Sequence, residues 1–192
     1  MSVVRKAVAG DLKRLCRTTV LAFADDPVMR WLYPDDNEFF ANGGAVMRFA
    51  LRRWMAHEAT FTTDDGVALA AFVPPGRPEV DIAPEPNDAR FGEDLLARFA
   101  AIGGALKAHT PAEPHWYLNL LGTHPDWQRQ GLGELMISPI VAQCDADAVP
   151  LWLETETVAN VAYYQRFGFR VRSEWDVPLD GPHMWGMQRN PR

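Results

Sequence analysis

The sequence predicts a mixed α/β fold, a sheet flanked by helices, organised as a single domain over residues 1–192. Three observations carry that expectation. β-prone and helix-patterned segments alternate along the chain, the arrangement that lets helices cover a sheet. The most strand-like run, His115 to Thr123, leads through glycines into an apolar helical segment. Asp64-Asp65-Gly66 joins two further β-prone runs, Ala59 to Thr63 and Val67 to Val73, as a hairpin.

The remaining elements follow in order. Val3-Val4-Arg5-Lys6-Ala7 reads as a short first strand. Asp11 is placed to cap a helix bearing Leu12, Leu15, Cys16, Thr19, Val20 and Phe23 at helical spacing. Asp26-Pro27 predicts a cap followed by proline at the first position of a short helix with Val28, Met29, Trp31 and Leu32. A longer helix spans about Asp36 to His57. Pro74 to Pro86 is too rich in proline for a helix or a central strand and reads as loop. A helix from about Ala89 to His109 comes next. Another runs from about Gly131 to Ala146, with a kink expected at Pro139, whose ring meets the carbonyl four residues back. Pro150 to Thr155 is a strand and Val158 to Phe167 a helix. Phe169 to Val177 and Met184 to Gln188 form a closing antiparallel pair.

Composition narrows the functional classes. The chain is 47% hydrophobic and 23% charged, ordinary for a soluble globular protein. A net charge of −6 argues against nucleic-acid or anionic-membrane binding and suits a cationic acceptor such as an amine. Cys16 and Cys144 sit far apart in apolar helical patterns and read as buried small hydrophobes. No histidine or cysteine pair has metal-ligand spacing, so no metal is expected. Met1 to Ala7 lacks the apolar run of a signal peptide, and no stretch suits a bilayer span. A cytoplasmic location is expected.

The chemistry concentrates in one segment. A strand feeds Gly122-Thr123-His124-Pro125-Asp126-Trp127, then Gln128-Arg129-Gln130-Gly131-Leu132-Gly133, then an apolar helix. Unpaired backbone N–H groups at a helix start carry partial positive charge and bind phosphate oxygens. Gly131 and Gly133 present no side chain to block that approach, and Arg129 adds a charge at the rim. A Walker loop requires Lys-Ser or Lys-Thr after its last glycine, where Glu134-Leu135 stands here. A dinucleotide fingerprint requires a small residue three positions after Gly133, where Met136 stands.

The Gln-x-x-Gly-x-Gly pattern after His124-Pro125-Asp126 resembles the acyl-CoA-binding motif of the GCN5-related N-acetyltransferase (GNAT) family. Leu151-Trp152-Leu153-Glu154-Thr155 and Asn160 to Phe169, with Tyr164 and Gly168-Phe169, are similar to that family's second signature. Ala22 to Pro27, Glu113 to Leu118, Pro139 and Val177 to Pro182 further resemble its puromycin-acetyltransferase-like subgroup. The resemblance implies a mostly antiparallel sheet with one splayed parallel strand pair, acetyl-CoA as acyl donor, and a primary amine of a small molecule as acceptor. A protein or peptide acceptor and a non-catalytic acyl-CoA sensor are the alternatives, and a homodimer is common among relatives.

Residue by residue, the resemblance places Leu121, Gly122 and Thr123 along the pantetheine arm. It places Gln128, Arg129, Gln130, Gly131, Leu132, Gly133 and Glu134 around the pyrophosphate. Asn160 either contacts pantetheine or caps its helix. Tyr164 is the general acid for the departing sulfur. The base is open, because Tyr117, Leu118 and Asn119 stand where many members carry a strand glutamate. Glu154 is the first candidate, on one strand face with Trp152 and Glu156; Asp25 and Asp26 are alternatives. Asp25, Trp31 and Tyr33 lie where the acceptor pocket is built.

Overall fold

The computed structural model describes residues 3–76, 80, 82–83 and 91–192. Its elements run β1 (Val4–Lys6), α1 (Leu12–Ala22), α2 (Pro27–Leu32), α3 (Asp36–Met55), β2 (Thr60–Thr63) and β3 (Ala68–Val73). They continue as α4 (Glu93–His109), β4 (Trp116–Thr123), α5 (Leu132–Asp147), β5 (Leu151–Thr155), α6 (Val158–Gln165), β6 (Arg170–Asp176) and β7 (His183–Arg189). Most of the loop expected from Pro74 to Pro86, and the expected start of α4 at Ala89, lie outside the described residues. No described helix is long and apolar enough to cross a membrane.

The strands form one sheet in the order β1-β2-β3-β4-β5-β7-β6. Every neighbouring pair is antiparallel except β4 and β5. Those two pair in parallel at only two positions, Trp116 with Leu151 and Tyr117 with Trp152, and then part. A bulge sits just past that point. Against β3, Leu118 faces Phe72 and Leu120 faces Ala71, leaving Asn119 as the extra residue.

Alternation along the strands builds two cores. On one face Ala68, Ala70, Phe72, Leu118, Leu151 and Leu153 pack under α5 through Met136, Ile137 and Ile140. On the other, Leu69, Ala71 and Leu120 meet Leu15 of α1 and Leu51 of α3. The N-terminal segments obey their caps with one exception. Asp26 accepts from the Met29 N–H at 2.9 Å and Asp35 from the Glu38 N–H at 3.0 Å. Asp11, expected as the cap of α1, instead lies in helical conformation with φ −81°. Its carboxylate is taken by Arg5 at 2.7 and 2.8 Å, Arg14 at 2.7 Å and the Val8 N–H at 2.9 Å. Two guanidinium groups outcompete a distant helix amide for one carboxylate.

The far end of the sheet is fastened by a group invisible in the sequence pattern. Arg189 of β7, its side chain only 3% exposed, forms a two-pronged pair with Asp145 of α5 at 2.8 Å and donates to the Phe167 carbonyl at 3.0 Å. Gly168, at φ +90°, ends the α6 region in a left-handed turn that sends Phe169 into the core. α5 continues through Pro139 as one helix. Cys16 and Cys144 are both free, and Cys144 is buried.

Candidate active site

Parting β4 from β5 opens a groove between the two halves of the sheet. Its volume is about 870 Å³, within the range of small-molecule sites. It is lined by Leu121, Gly122 and Thr123 from the free side of β4, by Gln128, Arg129, Gly131, Leu132, Gly133 and Glu134, and by Asn160, Tyr163 and Tyr164 of α6. The α1–α2 loop closes it from the other side with Asp25 and Asp26.

The approach to the glycine loop is held by hydrogen bonds. The His124 N–H donates to the Val67 carbonyl at 2.8 Å, the Trp127 N–H to the His124 carbonyl at 2.8 Å, and the Gln128 side-chain amide to the Thr123 carbonyl at 3.3 Å. Arg129 and Gly131 are both left-handed, at φ +60° and +80°. Such backbone costs a side-chain-bearing residue roughly 1–2 kcal/mol and makes concave nests of N–H groups. Nothing lies within 4 Å of a Cβ placed on Gly131, so its glycine serves the turn. Gly133 has a different reason: a Cβ there collides with the Tyr163 hydroxyl. The first helical bond of α5 is from the Leu135 N–H to the Gly131 carbonyl at 3.1 Å. The amides of Leu132, Gly133 and Glu134 therefore have no helical partner and present positive charge to the groove.

α6 supplies the other wall. Thr157 caps it by accepting from the Asn160 N–H at 3.1 Å, which removes the capping role from Asn160 and leaves its side chain on the groove. Tyr164 is 9% exposed and packs edge-on against both Tyr163 and Phe169, with ring centroids 5.3 and 5.7 Å away. Burial, with smaller contributions from Tyr163 and Glu156, pushes its phenol well above the ordinary value, so it stays protonated.

The carboxylates fall differently from the sequence expectation. Glu154 does not line the groove. It accepts from Tyr117, from Thr110 at 3.2 Å and from the Trp152 indole, all side chains of the surrounding wall. Its neighbour two residues on, Glu156, does line the groove, as does Asp26. Burial, then the charge of Asp26, pushes Glu156 up to about 9. Burial likewise raises Asp26. Glu156 lies one residue past the end of β5, and nothing in the sequence signals that it and Asp26 share a groove.

Trp31 and Tyr33, expected at the acceptor, stand apart from this groove. The Trp31 indole donates to the Leu179 carbonyl at 3.0 Å and its own carbonyl accepts from Arg98 at 2.5 Å, tying α2 to the β6–β7 turn and α4. Tyr33 is 3% exposed, in a cluster with Met29, Leu32, Phe39 and Met47. Gln130 is exposed and bonds the Asp126 carbonyl at 3.5 Å, outside the groove lining. No group of three potential metal ligands occurs among the described residues.

Comparison with known proteins agrees with this geometry. Residues 93–171 match the acetyltransferase (GNAT) domain family. The chain is 24% identical over 200 residues to an uncharacterized N-acetyltransferase of Schizosaccharomyces pombe, covering 92% of this chain and 80% of that protein. The histone acetyltransferase HPA2 and related acetyltransferase of Corynebacterium glutamicum shares the fold with a TM-score of 0.72 at 22% identity, over 100% of this chain and 98% of that one. Arylalkylamine N-acetyltransferase 2 of Aedes aegypti does so with 0.64 at 10% identity, over 99% of each. The splayed strand pair and the glycine-loop start of α5 lie within the stretch that matches the acetyltransferase (GNAT) domain family, and the chain as a whole shares the fold of these acetyltransferases.

Proposed function

We propose that the protein transfers the acetyl group of acetyl-CoA to a primary amine of a small molecule, with both reactants held together in one complex. The observation carrying this reading is the gap between β4 and β5, which runs from the amides at the start of α5 to the phenol of Tyr164. Acetyl-CoA supplies a thioester whose acyl carbon is open to attack. Leu132, Gly133 and Glu134 offer N–H groups to the pyrophosphate, with Gln128, Arg129 and Gly131 shaping that nest. Leu121, Gly122, Thr123 and Asn160 lie where the pantetheine amides pass. Tyr164, kept neutral by burial, donates its proton to the departing sulfur. Holding amine and thioester at near-attack distance supplies much of the remaining acceleration.

A small cationic acceptor is supported by the acids at the groove's other side, Asp25, Asp26 and Glu156. The test is thiol release from acetyl-CoA across an amine panel that includes puromycin and aminoglycosides, with mass detection of the acetylated product. Release at background for every amine refutes the reading.

A further inference from the structure

Transfer to an alkyl amine has a difficulty that the residues above do not resolve. At neutral pH the amine is an ammonium and cannot attack until a group takes its proton. β4 carries Tyr117, Leu118 and Asn119 at its centre, none a carboxylate, and Glu154 is held by its wall partners away from the groove.

Asp26 and Glu156 come from elements 130 residues apart in the chain and meet on the groove that Tyr164 also lines. Asp26 is fixed by its capping bond to the Met29 N–H, with Pro27 setting the helix entry behind it. Glu156 stands one residue past the end of β5 and directly before Thr157, the cap of α6. Both backbones are therefore pinned by element ends, with the two carboxyls on one groove. Two ionised carboxylates held there only repel, and a proton between them relieves that repulsion.

We propose that Asp26 and Glu156 share one proton, and that this pair receives the acceptor's ammonium and acts as the base for its attack. The proposal rests on the acetyltransferase reading above and gives the substrate class, a primary alkyl ammonium. Among the described residues, the other ionisable groups on the groove are Asp25 on the same loop, Arg129 on the glycine loop, Glu134 of α5, and Tyr163, Tyr164 and Arg166 at α6.

The protons balance as follows. When the ammonium enters between the carboxyls, the shared proton leaves to solvent and two carboxylates face one cation. One of the three N–H protons then passes to the pair and restores its shared proton. The nitrogen lone pair forms the C–N bond, the C–S bond breaks with its electrons going to sulfur, and Tyr164 protonates that sulfur. A second N–H proton replaces the one lost by Tyr164, and the third stays on the amide. The net products are the acetamide, the free thiol and one proton.

The test uses the full chain as wild type, Glu156→Gln and Asp26→Asn; asparagine keeps the α2 cap. Thermal unfolding is followed from pH 5 to 9.5, with the CoA-induced shift in melting temperature and thiol release over the amine panel recorded beside it. A carboxyl raised from 4.5 to about 9 on folding stabilises the protein below pH 4.5, and that stability is lost as pH rises toward 9. The wild type should therefore lose melting temperature across this window, and Glu156→Gln should lose much less. Turnover by Glu156→Gln should fall by roughly 10²–10⁴-fold, with the CoA shift intact. A wild-type pH slope in Glu156→Gln overturns the shared proton, and wild-type turnover in that variant overturns the base. No turnover by the wild type on any amine defeats the acetyltransferase reading and the base role with it, while the pH slope still decides the shared proton.

Discussion

Gly133 and Tyr163 allow the construction of the glycine loop to be tested as a pair. A methyl group at Gly133 collides with the Tyr163 hydroxyl, yet lies 3.4 Å from the ring carbon beneath it, an ordinary contact. Gly133→Ala alone should destabilise by about 1–3 kcal/mol through overpacking, offset by up to about 1 kcal/mol of helix propensity. In a chain of this size that is a fall of about 2–4 °C in melting temperature per kcal/mol. Tyr163→Phe removes a buried hydroxyl that has no hydrogen-bond partner, so it should be neutral or mildly stabilising. In the Tyr163→Phe background the Gly133→Ala penalty should vanish and leave the propensity gain. The resulting coupling, about 1–3 kcal/mol, is well above the roughly 0.3–0.5 kcal/mol scatter of independent sites. Gly131→Ala is the control: its φ of +80° costs alanine roughly 1–2 kcal/mol that Tyr163→Phe cannot recover. Urea unfolding of the four cycle members and the control, with and without CoA, gives every value. Additive effects at Gly133 and Tyr163 would refute the close-packed reading of Gly133.

Other consequences are separately measurable. Tyr164→Phe should leave the CoA-induced thermal shift unchanged while turnover falls by roughly 10²–10⁴-fold in a thiol-release assay. Glu154→Gln should cost about 1–3 kcal/mol, because an amide nitrogen cannot accept from the hydroxyls and indole now bonded there, yet turnover per folded molecule should persist. Arg5 holds the Asp11 carboxyl well below its usual range, so its stabilisation is present above the unfolded value near 3.8 and lost as pH falls. Asp11→Asn should therefore lower the melting temperature at neutral pH and flatten its decline below about pH 4.

Much of this architecture was legible because it rests on local signals. Asp26-Pro27 wrote the start of α2, Asp64-Asp65-Gly66 wrote the hairpin, and Gln128 to Gly133 wrote a loop entering a helix. The carboxylate side of the groove was not, because it depends on distant pairings. Strand alternation put Glu154 and Glu156 on one face, but which of them reaches the groove depends on where β4 and β5 part and on the bulge at Asn119. Trp31 looked like a pocket wall because aromatic residues suit ligands and cores equally; its partner, the Leu179 carbonyl, lies 148 positions away. Asp11 misled for a similar reason, since capping propensity competes with guanidinium groups that only the fold brings near.

The two rungs joining β4 to β5 have a mechanical meaning. Among the described residues they are the only paired strand positions between the half-sheet β1–β4 and the half-sheet β5–β7, so the molecule resembles two leaves hinged along a short seam. The seam is reinforced by the apolar layer under α5, where Leu118 and Leu151 sit together, and not by the sheet itself. Amide protons on the open edge of β4 lack a strand to shield them and should exchange with solvent sooner than those facing β3. A chain of amides laid along that edge would act as the missing strand, so donor binding should slow this exchange and stiffen the two leaves against each other.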